Sequence, residues 1–173
     1  MAKTTLRPLT MEDLDNMMTW INDKEVIGNF GYFKHPISRE DEEQFLKKIL
    51  NSENDIIYAI ETEDGEYLGN AALNQIHWPS RNARLSLIIG NKKHHNKGYG
   101  TGAVLAILKK AFNEHNLHKV WLMVRESNEK AKHIYKKCGF KEEGIMREEY
   151  LLNGKYENMI RMSILKSEFT KKV

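Results

Sequence analysis

The sequence is poor in cysteine and has no long apolar run. Cys138 is the one cysteine among 173 residues. A single cysteine excludes an internal disulfide framework and a multi-cysteine metal site, and we expect no metal. No apolar run approaches the roughly 20 residues that span a bilayer, and the first ten residues lack the apolar core of a secretion signal. We therefore expect a cytoplasmic protein with no membrane partner.

The sequence also has little net charge. Its 27 Lys and Arg residues against 24 Asp and Glu residues give a formal charge of +3. That charge is too small and too mixed to predict a nucleic-acid partner. Basic residues do gather in two stretches, 92–97 and 130–137. Such stretches are usually solvated surface, and the alternative is contact with a phosphate-bearing ligand.

The order of hydrophobic patterns predicts an α/β fold in one domain, residues 1–173. The sequence has no Pro- or Ser-rich linker, and its length suffices for a single buried core. The patterns follow the order β-α-α-β-β-β-α-β-α-β-β. They predict an irregular segment at 23–37 and helices at 10–22, 38–50, 99–115 and 128–137.

Turn signals and βαβ units together predict how the strands pair. Asp64-Gly65 and Asn153-Gly154 each separate two predicted strands, which is typical of antiparallel hairpins. The βαβ units of the second half require at least one parallel pair. We therefore expect a mixed, twisted sheet of about seven strands, with about four helices on its two faces. A ligand cleft is expected where antiparallel connection changes to parallel.

A glycine-rich loop, His95–Gly102, separates a predicted strand from a predicted helix. Its three glycines allow positive φ and a close approach of ligand to backbone. Unpaired amides at the helix start and the helix dipole suit a phosphate, and Lys97 could add a positive charge. The alternative is a tight turn that serves packing alone. The loop matches neither the Walker pattern nor the dinucleotide-binding fingerprint.

A second motif follows about thirty residues later and ends at Phe140. Asn128 is a favourable N-cap for the predicted helix, and Gly139 suits a left-handed C-cap. Ala131 and Tyr135 lie four residues apart and so share one helical face. Taken alone, Tyr135 would be interpreted as a half-buried aromatic that only packs.

Together the two motifs resemble those of the GNAT superfamily of N-acetyltransferases. That family has an R/Q-x-x-G-x-G/A loop after its fourth strand and N-x-x-A-x-x-x-Y-x-x-x-G-F after its fifth, in this order. The resemblance covers essentially the whole chain. The closing stretch, Glu143 to Met162, is similar to the branch of spermidine acetyltransferases and ribosomal-protein N-terminal acetyltransferases. It implies transfer of an acetyl group from acetyl-CoA, as cosubstrate, to a primary amine of a polyamine, protein N-terminus or amino sugar.

The resemblance also implies roles for particular residues. The amine would attack the thioester directly, and Tyr135 would be the general acid that protonates the departing thiolate. Main-chain groups of the fourth strand would hold the acyl portion, the loop amides would bind the diphosphate, and Asn128 would contact the pantetheine arm. The cofactor-binding residues implied in this way are Leu87, Ile88, Ile89, His95, Lys97, Gly98, Tyr99, Gly100, Thr101, Gly102, Asn128 and Lys130.

Two positions depart from the family pattern. His95 replaces the usual Arg or Gln of the loop, and we expect a changed affinity without loss of binding, since the amides dominate. Arg84 stands where many relatives have the glutamate that relays the amine proton. The general base is therefore unassigned, and Glu25, Glu61 and Glu126 are the carboxylates that could reach the cleft.

Three questions stay open from the sequence. The Arg84 departure keeps a non-catalytic, CoA-binding regulatory module as the alternative function. The segment Phe33-Lys34-His35-Pro36 lacks the acids that spermidine enzymes tend to have after the first helix, which weakens a polyamine acceptor without excluding it. The oligomeric state is open, with a homo-oligomer among the options.

Overall fold

Seven strands form one mixed sheet. The computed structural model describes residues 3–28 and 36–169. The strands are β1 (Thr4–Pro8), β2 (Ile56–Thr62), β3 (Tyr67–His77), β4 (Asn82–Ile89), β5 (Lys119–Arg125), β6 (Lys141–Leu152) and β7 (Lys155–Leu165). Their order is β1-β2-β3-β4-β5-β7-β6, and every neighbouring pair is antiparallel except β4 with β5. The predicted mixed sheet is confirmed.

Helices cover both faces of this sheet. Strand residues alternate between the faces, so Leu73 and Leu85 pack in one core with the helix Tyr99–Lys109. Ile57 and Ile88 pack in a second core, formed with the N-terminal helices. The described α-helices are α1 (Leu14–Met18), α2 (Lys24–Ile27), α3 (Arg39–Leu50), α4 (Tyr99–Lys109), α5 (Glu129–Cys138) and α6 (Lys166–Phe169).

The first helix is shorter than the predicted 10–22. A 3₁₀ turn, Met11–Asp13, leads into α1, which ends five residues later. At that end the Thr19 hydroxyl donates to the Asn16 carbonyl oxygen at 2.6 Å. Such a local side-chain bond competes with continuation of the helix, and the chain goes on as a series of turns.

The segment 23–37, predicted to be irregular, begins with the four-residue helix α2. The Asp23 carboxylate accepts a hydrogen bond from the Glu25 amide and so caps it. The other unpredicted helix, α6, directly follows β7. Residues 29–35 lie outside the described residues, and with them most of the Phe33-Lys34-His35-Pro36 segment. The expectation drawn from that segment therefore stays a prediction.

The remaining predicted helices begin where the caps indicated. The Ser38 side chain accepts from the Asp41 amide at the start of α3, and Asn128 does the same for the Ala131 amide at the start of α5. The helix predicted to reach His115 changes its hydrogen-bond pattern on the way, because α4 continues as a π-helical turn, Lys110–Glu114.

Two carboxylates are buried beside α1 and α3 in opposite environments. Asp13 is 2% exposed and accepts from the Arg7 guanidinium at 2.8 and 2.6 Å, and from the Thr10 amide. Burial alone would raise the pKa of Asp13, but these bonds lower it. Glu42 is 3% exposed, and its Oε1 has no hydrogen-bond partner in the described part of the chain. Burial raises the pKa of this carboxyl.

We expect Asp13→Asn to lower the free energy of unfolding by about 2 kcal/mol at pH 7, because the Arg7 guanidinium loses a buried charged partner. Urea denaturation measures the change. Asp15→Asn is the matched control, since Asp15 is exposed and pairs with Arg39 at the surface. It should change the same quantity by less than about 0.5 kcal/mol. Equal losses in the two variants would contradict the assignment.

Glu42→Gln should raise the free energy of unfolding at pH 8 by about 1 kcal/mol, because it removes an unpaired buried charge. An acid whose pKa is raised by folding holds its proton more tightly in the folded state. Its ionisation therefore destabilises the protein as the pH rises from the unfolded pKa through the folded one. The gain should shrink toward pH 4.

Urea denaturation at pH 8 and pH 4 checks this prediction, with Glu43→Gln as the control. Glu43 lies on the same helix, pairs with Lys47 and is exposed, so its substitution should change little at either pH. A Glu42→Gln variant that is destabilised at pH 8 would show that the carboxylate is needed where it lies.

Candidate active site

The sheet opens between β4 and β5. These two strands pair over three residues each, from Asn82 opposite Lys119 to Arg84 opposite Trp121. Beyond Arg84, β4 stays bonded to β3 and β5 stays bonded to β7, but the described strands do not bond to each other. Main-chain groups on the two inner edges are thus left without sheet partners. The cleft expected where the pairing changes to parallel is confirmed.

A cavity of about 300 Å³ fills this opening. Its walls come from β4, the loop before α4, α4 itself, β5 and α5, and it reaches Tyr150 and Met159 of the last hairpin. We call it the main cavity. The α5 residues in its wall, together with the N-cap of that helix, are Asn128, Lys130, Ala131, Ile134 and Tyr135.

The glycine-rich loop enters α4 through two left-handed residues, Asn96 with φ 63° and Gly98 with φ 89°. Gly100 and Gly102 lie inside α4, so only one of the three glycines needs the positive φ. The Gly102 amide makes the first helical bond, to the Gly98 carbonyl oxygen at 3.1 Å. Amides 99–101 come before it and have no carbonyl one turn back. Together with the helix dipole they suit a diphosphate.

His95 fastens this loop to the end of β4. Its Nε2 lies 2.8 Å from the Ile89 carbonyl oxygen, within hydrogen-bond distance. The side chain that departs from the family pattern therefore positions the loop and also lines the main cavity. Sequence reasoning did not predict this bond, because it joins residues whose backbones meet only in the fold.

Tyr135 reaches the main cavity from α5. Its half-buried ring packs on Phe140 with the centroids 5.6 Å apart. Burial, with a smaller effect of Cys138, raises the pKa of Tyr135 to about 12. A phenol with that pKa keeps its proton at neutral pH and can donate it to an acceptor in the cavity. Cys138 itself is 2% exposed and packs in the core.

Most of the predicted site residues lie in the wall of the main cavity. The ones that line it are Leu87, Ile89, His95, Gly98, Gly100, Thr101, Asn128, Lys130 and Tyr135. Lys97, Tyr99 and Gly102 are not part of that wall. Lys97 is exposed, the Tyr99 ring packs on His94 with the centroids 5.2 Å apart, and Gly102 lies within α4. Ile88 points to the opposite face of the sheet. Their ligand-binding roles stay predictions.

The three carboxylates considered as general base do not line the main cavity. Each is held elsewhere by another side chain: Glu25 by Lys92, Glu61 by Arg7 and Glu126 by Asn158. Among the described residues the wall contains no Asp or Glu. Its ionisable groups are instead basic or phenolic: Arg84, His94, His95, Arg125, Lys130, Tyr135 and Tyr150.

A second cavity of about 340 Å³ lies on the other face of β4. Ser86 and Leu87 line both cavities, so β4 alone separates them here. The walls of the second cavity are mostly apolar and come from α1, α3, β3 and β4, with Asp41 and Glu42 as its acids. Sequence reasoning missed this cavity, because periodicity does not show where a helix leaves a sheet uncovered.

Within residues 3–28 and 36–169, no group of three or more His, Cys, Asp or Glu side chains is placed to hold a metal ion. None of the helices in those ranges combines the length and apolarity of a membrane span.

Comparison with known proteins identifies the family. Residues 3–141 match the model of the acetyltransferase (GNAT) domain. The chain is 31% identical over 169 residues to a spermidine N(1)-acetyltransferase of Vibrio cholerae, covering 97% of this chain and 96% of that protein. A spermidine N(1)-acetyltransferase of Escherichia coli is 33% identical over 165 residues, covering 95% and 87%.

A solved structure agrees with the fold as well. The crystal structure of spermidine N-acetyltransferase from Vibrio cholerae in complex with CoA and spermine has a TM-score of 0.90 and 30% identity, covering 97% of this chain and 98% of that one. The unpaired loop amides, the open strand edge and the buried phenol described above fit the thioester donor of such enzymes. The chain therefore belongs to the GNAT acetyltransferases and is an N-acetyltransferase that uses acetyl-CoA.

Proposed function

We propose that the protein transfers the acetyl group to a primary amine by direct attack, with Tyr135 as general acid. One observation supports this most: the opening between β4 and β5 brings unpaired loop amides, an unpaired strand edge and a phenolic hydroxyl to one cavity. These are the groups that bind a diphosphate, polarise a carbonyl and protonate a leaving thiolate.

Acetyl-CoA would be held along the length of the main cavity. Amides 99–101 would bind its diphosphate, with Lys130 nearby in the same wall. The inner edge of β4 from Leu87 to Ile89 would hold the acyl end, because its main-chain groups have no partner on β5. The Asn128 oxygen already accepts from the Ala131 amide, which leaves the Asn128 amide nitrogen to donate to the pantetheine arm.

The reaction forms a carbon–nitrogen bond and breaks the carbon–sulfur bond. Negative charge develops on the carbonyl oxygen during attack, and main-chain N–H groups at the strand edge stabilise it. The thiolate leaves and takes the phenolic proton of Tyr135. A protonated alkylamine has a pKa of about 10 and must first lose its proton. Since the described wall contains no carboxylate, we propose that water carries this proton to solvent and that the amine's second proton restores the phenol.

Spermidine is one candidate acceptor, because the Vibrio cholerae and Escherichia coli relatives are named for it. Amines of protein N-termini and amino sugars stay in the same proposal, since the described residues place no acid in the wall of the main cavity that would select a polycation. We propose the cytoplasm as the site of action, where acetyl-CoA is available as the donor.

Tyr135→Phe should lower kcat by about 100-fold or more, because the thiolate must then leave without its proton donor. The dissociation constant of CoA should change less than about twofold, since the phenol does not hold the diphosphate. Thiol release from acetyl-CoA with an amine panel that includes spermidine measures the first quantity, and calorimetry measures the second.

Tyr156→Phe is the matched control, because Tyr156 is 65% exposed on β7 and does not line the main cavity. It should keep the wild-type kcat. Equal kcat values for Tyr135→Phe and the wild type would remove Tyr135 from the mechanism. CoA binding by the wild type without turnover of any amine would favour a non-catalytic CoA-binding module.

A further inference from the structure

Arg84 is a charged residue in the wall of the main cavity, and no residue in the described part of the chain bonds to its side chain. It is the last residue of β4 that pairs with β5, and its side chain is half-buried. Its Nε is closed off from solvent and makes no hydrogen bond with any described residue. A guanidinium is always charged in proteins, and buried donors without acceptors cost free energy. Arg84 is therefore arranged for an acceptor of hydrogen bonds that the described residues do not supply.

The other arginine of the wall, Arg125, differs from Arg84 in having a carboxylate beside its guanidinium. Its Nη1 lies 3.2 Å from a carboxylate oxygen of Glu157, and the other oxygen accepts from the Ser127 hydroxyl at 2.6 Å. The charge of Arg125 is thereby compensated inside the protein. No carboxylate within residues 3–28 and 36–169 pairs with Arg84, so these residues leave a positive charge at this end of the main cavity.

Arg84 also lies far from the end of the cavity that suits a diphosphate. Ile89, which is bonded to the loop through His95, is five residues further along the strand, roughly 17 Å at 3.4 Å per residue. Arg84, Ser86 and Ile88 alternate with Leu85 and so share the sheet face opposite α4. Its guanidinium therefore lies away from the phosphates of the donor, beyond the Leu87–Ile89 edge proposed for the acyl end.

We propose that Arg84 is a specificity-determining residue that binds an oxyanion, a carboxylate or a phosphate, on the amine acceptor. The proposal rests on the proposed function and specifies its substrate class. A guanidinium pairs with either group through two parallel hydrogen bonds. A polyamine bound at the same place would put a second positive charge beside the guanidinium of Arg84. Amines that carry an acid group are thus favoured over polycations.

Acceptors of matched length test this preference directly. One set consists of hexylamine, 6-aminohexanoate and 1,6-diaminohexane, whose far ends are neutral, anionic and cationic in that order. A second pair, ethanolamine and O-phosphoethanolamine, differs by a phosphate group. We expect kcat/KM of the wild type to be about tenfold or more higher for the acid member of at least one pair. The pair that shows the difference identifies the oxyanion. 1,6-Diaminohexane and spermidine should be poorer acceptors than the preferred acid.

Variants at position 84 separate binding from structure. Arg84→Ala should lower kcat/KM for the preferred acid about tenfold more than for the matched neutral amine. It should leave the dissociation constant of CoA unchanged. Arg84→Lys should restore part of the preference, and Arg84→Glu should reverse it toward 1,6-diaminohexane. Lys109→Ala is the control, because it removes one positive charge from an exposed residue outside the main cavity and should keep the wild-type preference.

Two results would overturn the inference. In the first, kcat/KM of the wild type is no higher for either acid than for the matched neutral amine. In the second, Arg84→Ala lowers kcat/KM equally for both members of a pair. Either result would show that Arg84 does not recognise the acceptor, and the proposed function would stand. Absence of turnover with every amine would instead contradict the proposed function and the inference together.

Discussion

The site depends on one constraint, a parallel pair of strands that bond over three residues and then separate. Beyond the point of separation, antiparallel partners remain bonded to the outer sides of β4 and β5. The inner edges therefore keep main-chain groups that need partners, and burying them unpaired would be costly. An extended amide-containing substrate arm beside β4 would satisfy these groups as a neighbouring strand does.

The charged and polar groups differ between the two ends of this gap. One end has unpaired amides and a helix dipole, which suit the phosphates of the donor. The other end has Arg84, whose Nε has no hydrogen-bond partner among the described residues. Tyr135 also lines the cavity, and burial raises the pKa of its phenol to about 12. The second cavity, on the other face of β4, differs from the main cavity in its lining. Its walls are mostly apolar, and they include the buried acid Glu42.

Features that depend on local chemistry could be predicted from the sequence. The caps Ser38 and Asn128, both hairpin turns and the glycine-rich loop lie where the pattern indicated, because each is set by a few adjacent residues. Features that depend on distant contacts could not. The bond of His95 to Ile89, the compensation of Arg125 by Glu157 and the second cavity all require the folded sheet. Arg84 is an intermediate case. The sequence shows that the residue is unusual, and only the structure shows that its Nε has no hydrogen-bond partner among the described residues.

The most direct test of the central claim is a crystal structure of the protein with CoA bound. The account predicts diphosphate oxygens within hydrogen-bond distance of amides 99–101, the pantetheine arm beside the inner edge of β4, and the sulfur within reach of the Tyr135 hydroxyl. CoA bound outside the opening between β4 and β5, or bound there with its sulfur remote from Tyr135, would contradict it.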